Sequence, residues 1–152
     1  MGLNGLDDVY REAILDHSRS PRNREKLERA DITADGVNPF CGDEIHVQIA
    51  LDGDGRVARV GLQSVGCAIN KATGSMLTET VLSMTGGEME AVSTLFGRLM
   101  NGGTLSQAEL AELGELKELA GVRRFPVRIK CTLLAWSTLR EGIEEYRRNQ
   151  TG

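Results

Sequence analysis

The chain has few aromatic residues, prolines and histidines. Its 152 residues include one Trp, two Tyr, three Phe, three Pro and two His. No stripe of basic and aromatic residues is visible, and the formal net charge is −4. Nucleic-acid binders concentrate positive charge against the phosphates. The composition therefore predicts no nucleic-acid partner.

Long hydrophobic runs are also absent. No apolar stretch approaches the roughly 20 residues that a membrane helix needs, and the first residues lack the basic and apolar regions of a signal peptide. We therefore expect no membrane partner and a cytoplasmic location. At this length we expect one domain over residues 1–152, with a single substantial core.

Cysteine is scarce, and its number is odd. The three cysteines fit a secreted disulfide framework poorly, and no C-x-x-C pair supports a thioredoxin-like dithiol. Reduced thiols in a cytosolic protein more often serve a metal or catalysis. The three positions therefore become the main guide to function.

Each cysteine lies in a short motif next to a loop or the start of an element. Cys41 precedes Gly42 and Asp43, Cys67 follows Gly66, and Cys131 follows a basic pair. Three thiolates and the Asp43 carboxylate make four ligands, the number that a tetrahedral zinc site uses. The pattern leaves three alternatives open: a structural zinc, a working sulfur site and an iron–sulfur cluster.

Each of these residues also has a simpler interpretation. A single cysteine is often an inert buried thiol, and an aspartate beside a glycine often caps a turn. Arg128 and Lys130 can be ordinary surface charges, or they can offset the negative site and meet a partner. His17 lies on the apolar side of a helical pattern, which favours a hydrogen-bonded core residue.

The hydrophobic patterning predicts an α+β fold, with a small antiparallel sheet of about three strands packed with helices. Residues 44–51 alternate as a half-buried strand, a turn at Asp52–Gly55 leads to a strand over 56–65, and a weaker strand pattern covers 32–37.

Helical spacing marks five further segments. Phe125–Pro126 predicts an extended approach to Cys131, and Gly86–Gly87 is interpreted as the end of the helix after Cys67. The predicted helices cover 4–18, the run after Cys67, 88–100, 106–121 and 131–148.

Several blocks of the sequence resemble one known family across nearly the whole chain. They resemble the SufU proteins of the IscU/NifU-like iron–sulfur assembly superfamily. The blocks are Val9-Tyr10 with Ile14 and Asp16-His17, Pro21-Arg22-Asn23, Asn38 to Asp43, Gly66 to Ile69, Phe125 to Cys131, and Leu134-Ala135-Trp136.

The resemblance implies a function and a set of site residues. It implies a zinc-dependent sulfurtransferase that accepts persulfide sulfur from the cysteine desulfurase SufS and passes it to downstream Suf assembly components. By motif position Cys41, Asp43, Cys67 and Cys131 would bind Zn²⁺. Cys41 would also be the catalytic sulfur acceptor.

One position separates this chain from a related class. IscU-type scaffolds are similar at the first two cysteine blocks but carry a histidine where this chain has Lys130. The segment over 86–120 is also long enough for the extra region typical of SufU-like chains. The alternative function is an iron–sulfur scaffold that binds a [2Fe–2S] cluster, since Cys and Asp can both bind iron.

Overall fold

The sheet has three antiparallel strands in the order β1-β2-β3, as the alternation predicted. A computed structural model describes residues 12–39 and 42–151 of the chain. The strands are β1 (Ile32–Asn38), β2 (Asp43–Leu51) and β3 (Val57–Val65). In the register, Asn38 pairs with Asp43, and Glu44 pairs with Val65. The end of β1, the start of β2 and the end of β3 therefore meet at one end of the sheet.

The helices lie on one face of this sheet. They are α1 (Glu12–Arg19), α2 (Ala68–Val81), α3 (Gly86–Met100), α4 (Gln107–Leu113), a 3₁₀ helix (Gly114–Arg124) and α5 (Pro126–Thr151). The predicted helix over 4–18 is confirmed from Glu12 onward, and its first residues lie outside the described part. No helix within the described ranges is both long and apolar enough to cross a membrane.

The role predicted for Gly86–Gly87 is wrong. The helix after Cys67 already ends at Val81, and Gly86 begins α3 instead. The Thr85 side chain accepts a hydrogen bond from the backbone N–H of Glu88, whose carboxylate accepts one from the N–H of Thr85. This capping box gives hydrogen-bond partners to two N–H groups at the start of α3, which have none within the helix.

The region between α3 and α5 is only partly as predicted. Ser106 and Glu109 form the expected capping box, but regular α-helix stops at Leu113 and a 3₁₀ helix follows. Its leucines still face the core, since Leu116 and Leu119 are fully buried. Hydrophobic spacing identified the buried face without distinguishing the two kinds of helix.

The extended approach predicted for Cys131 is also wrong. Pro126 is the first residue of α5, a position where its missing N–H costs nothing. Cys131 therefore lies in the second turn of a 26-residue helix. The restriction before proline acts on Phe125, which has an extended φ of −123°.

Close packing between α5 and the sheet fixes the height of Cys131 above β1 and β2. A Cβ on Gly36 of β1 would lie 2.0 Å from the Thr138 hydroxyl oxygen of α5, and a Cβ on Gly142 would lie 3.0 Å from Ala34. Missing side chains thus let the helix rest on β1. Trp136, buried against Phe96 with ring centroids 6.1 Å apart, anchors the other side of α5.

Candidate metal centre

Asp43 is the first residue of β2, and its side chain is fully buried. One carboxylate oxygen, Oδ1, accepts a hydrogen bond of 3.0 Å from the backbone N–H of Cys67. The other, Oδ2, lies 3.8 Å from the Cys67 sulfur. The carboxylate therefore connects the start of β2 to the start of α2, which a simple turn-capping role does not require.

Gly66 creates the space that this carboxylate occupies. Its φ is +130°, a conformation that residues with a side chain rarely adopt. A Cβ at this position would lie 1.9 Å from Oδ1 of Asp43. Glycine is thus required both by the backbone angle and by the approach of the carboxylate.

Cys67 is the N-cap of α2. Its sulfur accepts a long hydrogen bond of 3.4 Å from the N–H of Asn70, so the thiol faces the positive end of the helix. The predicted position at a strand-to-helix junction is confirmed.

Asn70 is a positioning residue that the sequence analysis missed. It is fully buried, and its side-chain amide donates to the Val65 carbonyl at 3.2 Å, which fixes the turn from β3 into α2. Its place in the first turn of the helix, from which a polar side chain can reach back to the preceding chain, is the signal that could have identified it.

Cys131 completes a cluster from the third element. It is fully buried in α5, and neither it nor Cys67 is in a disulfide. Its sulfur, the Cys67 sulfur and an Asp43 oxygen all lie within 4.8 Å of one another. The described residues therefore bring together three of the four predicted ligands.

Arg128 lies one turn before Cys131 and faces both sulfurs. Partial burial disfavours its charged form, but the adjacent Cys67 and Cys131, through charge and hydrogen bonding, raise the pKa of the guanidinium above its ordinary value. The group therefore stays protonated and offsets negative charge on the two sulfurs.

Cys41 lies outside the described residues, but Pro39 before it and Gly42 after it are described. Asn38 and Asp43 are paired, and the N–H of Gly42 donates to the Asn38 carbonyl at 2.9 Å. Pro39 lines a shallow cleft of about 320 Å³ together with Lys130. The described residues before and after Cys41 thus lie at the Asp43 end of the sheet, and Pro39 is close to Lys130.

The donor set fits a zinc ion. With bond lengths of about 2.3 Å to sulfur and about 2.1 Å to oxygen, tetrahedral zinc separates a sulfur from an oxygen ligand by about 3.6 Å. The Cys67 sulfur and Asp43 Oδ2 are 3.8 Å apart. Two sulfurs and one carboxylate leave one position for a further ligand, and metal binding by this set stays a prediction.

Known proteins with a similar sequence form one group. The NifU-like N terminal domain family matches residues 9–92. The "zinc-dependent sulfurtransferase SufU" of Bacillus subtilis is 36% identical over 138 residues, which are 91% of each chain. The "iron-sulfur cluster assembly scaffold protein IscU" of Streptococcus pyogenes is 34% identical and covers 95% of this chain and 88% of its own.

Solved structures agree with the fold. A crystal structure described as a putative iron–sulfur cluster assembly scaffold protein for the SUF system, from Fervidobacterium islandicum, superposes with a TM-score of 0.82. It is 28% identical in sequence, and the match covers 90% of this chain and 98% of the other. The predicted IscU/SufU-like α+β fold is therefore confirmed.

Proposed function

Since the chain belongs to the family of NifU-like N-terminal domains, we propose that it is a zinc-dependent sulfurtransferase of iron–sulfur cluster assembly, which accepts persulfide sulfur from a SufS-type cysteine desulfurase. The relatives that it matches are iron–sulfur assembly proteins, and the sulfurtransferase role is the finer part of the proposal. Because thiols stay reduced in the cytoplasm, we propose that the chain acts there.

One observation carries this proposal. Asp43, Cys67 and Cys131 come from three separate elements and meet within 4.8 Å. An inert buried thiol does not need a second thiol, a buried carboxylate and a guanidinium around it. In the proposed site Cys41, Asp43, Cys67 and Cys131 hold Zn²⁺, which supplies a positive charge that keeps the thiols deprotonated and protected from oxidation.

The residues then have unequal roles. Cys67 caps α2 and Cys131 lies in α5, so their sulfurs are held by helix packing. Cys41 follows Pro39 in the connection between β1 and β2. We infer that Cys41 is the sulfur acceptor, because in the sequence it falls between the strands β1 and β2, whereas Cys67 begins a helix and Cys131 lies within one.

Sulfur transfer at Cys41 needs no outside oxidant. The Cys41 thiolate attacks the outer sulfur of the donor's cysteine persulfide, and a new S–S bond forms while the donor's S–S bond breaks. The donor cysteine leaves as a thiolate, and Cys41 becomes the persulfide. Arg128, which faces the two sulfurs, and Lys130, in the cleft beside Pro39, would offset the negative charge of the incoming group.

The surface around the site suits a protein donor. Three large apolar side chains are exposed at this end: Val37 at 62%, Val65 at 57% and Val127 at 72%. Val37 and Val65 both lie opposite Glu44 in the sheet, and Val127 precedes Arg128. Exposed apolar side chains near a polar site favour a docking surface. We propose that the desulfurase, and then the downstream Suf components, bind here.

The decisive experiment follows sulfur onto Cys41. With SufS and free cysteine, the wild-type chain should stimulate desulfurase turnover and gain one sulfur atom by mass spectrometry, whereas Cys41→Ala should do neither. Ser137→Ala, which removes a hydroxyl from the cleft beside Pro39, should behave as wild type. Normal stimulation by Cys41→Ala would contradict the role given to this residue.

The scaffold function is the second candidate, because the Streptococcus pyogenes relative and others are named scaffold proteins. Lys130, in place of the histidine of IscU-type chains, weighs against it. Anaerobic reconstitution with iron and sulfide separates the two. A stable [2Fe–2S] spectrum at full occupancy would support the scaffold, and only transient colour would support sulfur transfer.

Arg128 gives a prediction about metal affinity. Arg128→Met removes the positive charge beside Cys67 and Cys131, so protons compete better with zinc for the sulfurs. We expect zinc affinity at neutral pH to fall about tenfold, and half-release during acid titration to move to higher pH. Arg140→Met, on the exposed side of α5, should leave the titration unchanged. An unchanged curve for Arg128→Met would show that the guanidinium does not support the site.

A further inference from the structure

A second group of metal-binding side chains lies apart from the cysteines. His17 of α1, Glu79 of α2 and Glu115 of the 3₁₀ helix each offer a ligand atom, and these atoms lie within 4.8 Å of one another. The His17 ring nitrogen Nε2 is 3.1 Å from an oxygen of Glu115 and 3.6 Å from one of Glu79. Three separate helices thus meet at one imidazole nitrogen.

The imidazole is held rigidly for this contact. His17 is only 1% exposed, so the prediction of a hydrogen-bonded core histidine is confirmed. Its Nδ1 lies 2.7 Å from the Ser75 hydroxyl, which also accepts the backbone N–H of Arg22 at 2.9 Å. Metal-binding histidines typically have their second nitrogen fixed in this way.

The negative charges of this group are balanced by protein only in part: Arg22 is close enough to attract Glu79 and Glu115 by charge. Arg22 is the nearby cation, but it is hydrogen-bonded to Asp16, and that bond lowers the pKa of the Asp16 carboxyl. A neutral His17 with two ionised glutamates carries −2. A proton on Nε2 can form a hydrogen bond to Glu115. Glu79, at 3.6 Å, is beyond hydrogen-bond distance and has no nearer partner in the described part of the chain.

We propose that His17, Glu79 and Glu115 form a second divalent-cation site, with water completing the coordination. A +2 ion would cancel the −2 of these ligands and replace the repulsion between the two carboxylates with attraction. One imidazole nitrogen and two carboxylates suit a harder ion of the Mn²⁺ class than the thiolates do. The two sites therefore differ in ligand chemistry and take different metals.

The position gives this site a structural consequence. The side chains of Glu79 and Glu115 are 46% and 56% exposed, so an ion can reach them from solvent, whereas the imidazole lies beneath. A bound ion would tie α1 to α2 and to the 3₁₀ helix. Binding to the folded chain alone raises its stability in proportion to the logarithm of the ion concentration.

Manganese provides a direct test, because free Mn²⁺ has a sharp electron paramagnetic resonance signal that disappears on binding. The zinc-loaded chain should bind one Mn²⁺, with a rise in the melting temperature. The double variant Glu79→Gln with Glu115→Gln should bind at least tenfold more weakly and lose that rise. Both residues are partly exposed, so these replacements keep the fold.

The control removes the same charge elsewhere. Glu144→Gln with Glu145→Gln, on the exposed face of α5, should bind Mn²⁺ as wild type does. His17→Gln should also lose binding, and its circular dichroism shows whether the helix pack survives. The proposal is overturned if the wild type binds no Mn²⁺, if Glu79→Gln with Glu115→Gln binds normally, or if the control pair weakens binding equally. None of these outcomes depends on sulfur transfer.

Discussion

Gly66→Ala is expected to abolish stable zinc binding without touching a ligand. The new Cβ would lie 1.9 Å from Asp43 Oδ1, and the φ of +130° adds backbone strain of about 1–3 kcal/mol. Asp43 must then move, which breaks its hydrogen bond to the Cys67 N–H and carries its other oxygen away from the Cys67 sulfur. We expect less than a tenth of the wild-type zinc by metal analysis, together with a lower melting temperature.

Gly97→Ala is the matched control, because it adds the same methyl group at a glycine far from the proposed zinc ligands in the sequence. Gly97 lies within α3, and a Cβ there meets nothing within 4 Å. Gly97→Ala should therefore keep its zinc and gain up to about 1 kcal/mol of stability. If Gly66→Ala were purified with nearly one zinc per chain, Asp43 would not be a ligand.

Cys131→Ala is expected to abolish the stabilisation of the chain by zinc, and removal of zinc with a chelator measures that loss. If zinc binds only the folded chain at about a thousand times its dissociation constant, it adds about 4 kcal/mol. For a domain of this size, that corresponds to a melting temperature about 10 °C higher. A strong chelator should remove this increment from the wild-type chain, and Cys131→Ala should melt low with or without the chelator.

The same experiment tests the inert-thiol alternative. If Cys131 only packs in the core, its truncation to alanine would lower the free energy of unfolding by roughly 1 kcal/mol. The chelator would then lower the melting temperatures of the wild type and the variant equally. Thr94→Ala, at an exposed position of α3, is the control, and the chelator should lower its melting temperature by as much as that of the wild type. Equal chelator responses in the wild type and Cys131→Ala would remove Cys131 from the ligand set.

Local sequence rules predicted the elements well where one local signal dominates. Alternation in β2, the turn at Asp52–Gly55 and the Ser106 capping box are short-range patterns, and each is present. The rules failed where two local signals compete. Gly86 follows a capping threonine, so it starts a helix, and Pro126 suits a first turn as well as an extended segment.

The sequence by itself determined the inventory of the site: three cysteines, Asp43, Arg128 and Lys130, all in short motifs. The tertiary structure decided which of them meet. It placed the Asp43 carboxylate against Gly66, and it aimed Arg128 at two sulfurs. It also joined His17 to Glu115 across 98 positions of the chain. Such contacts depend on how helices pack on the sheet, and hydrophobic spacing fixes which face of a helix is buried without fixing its partner.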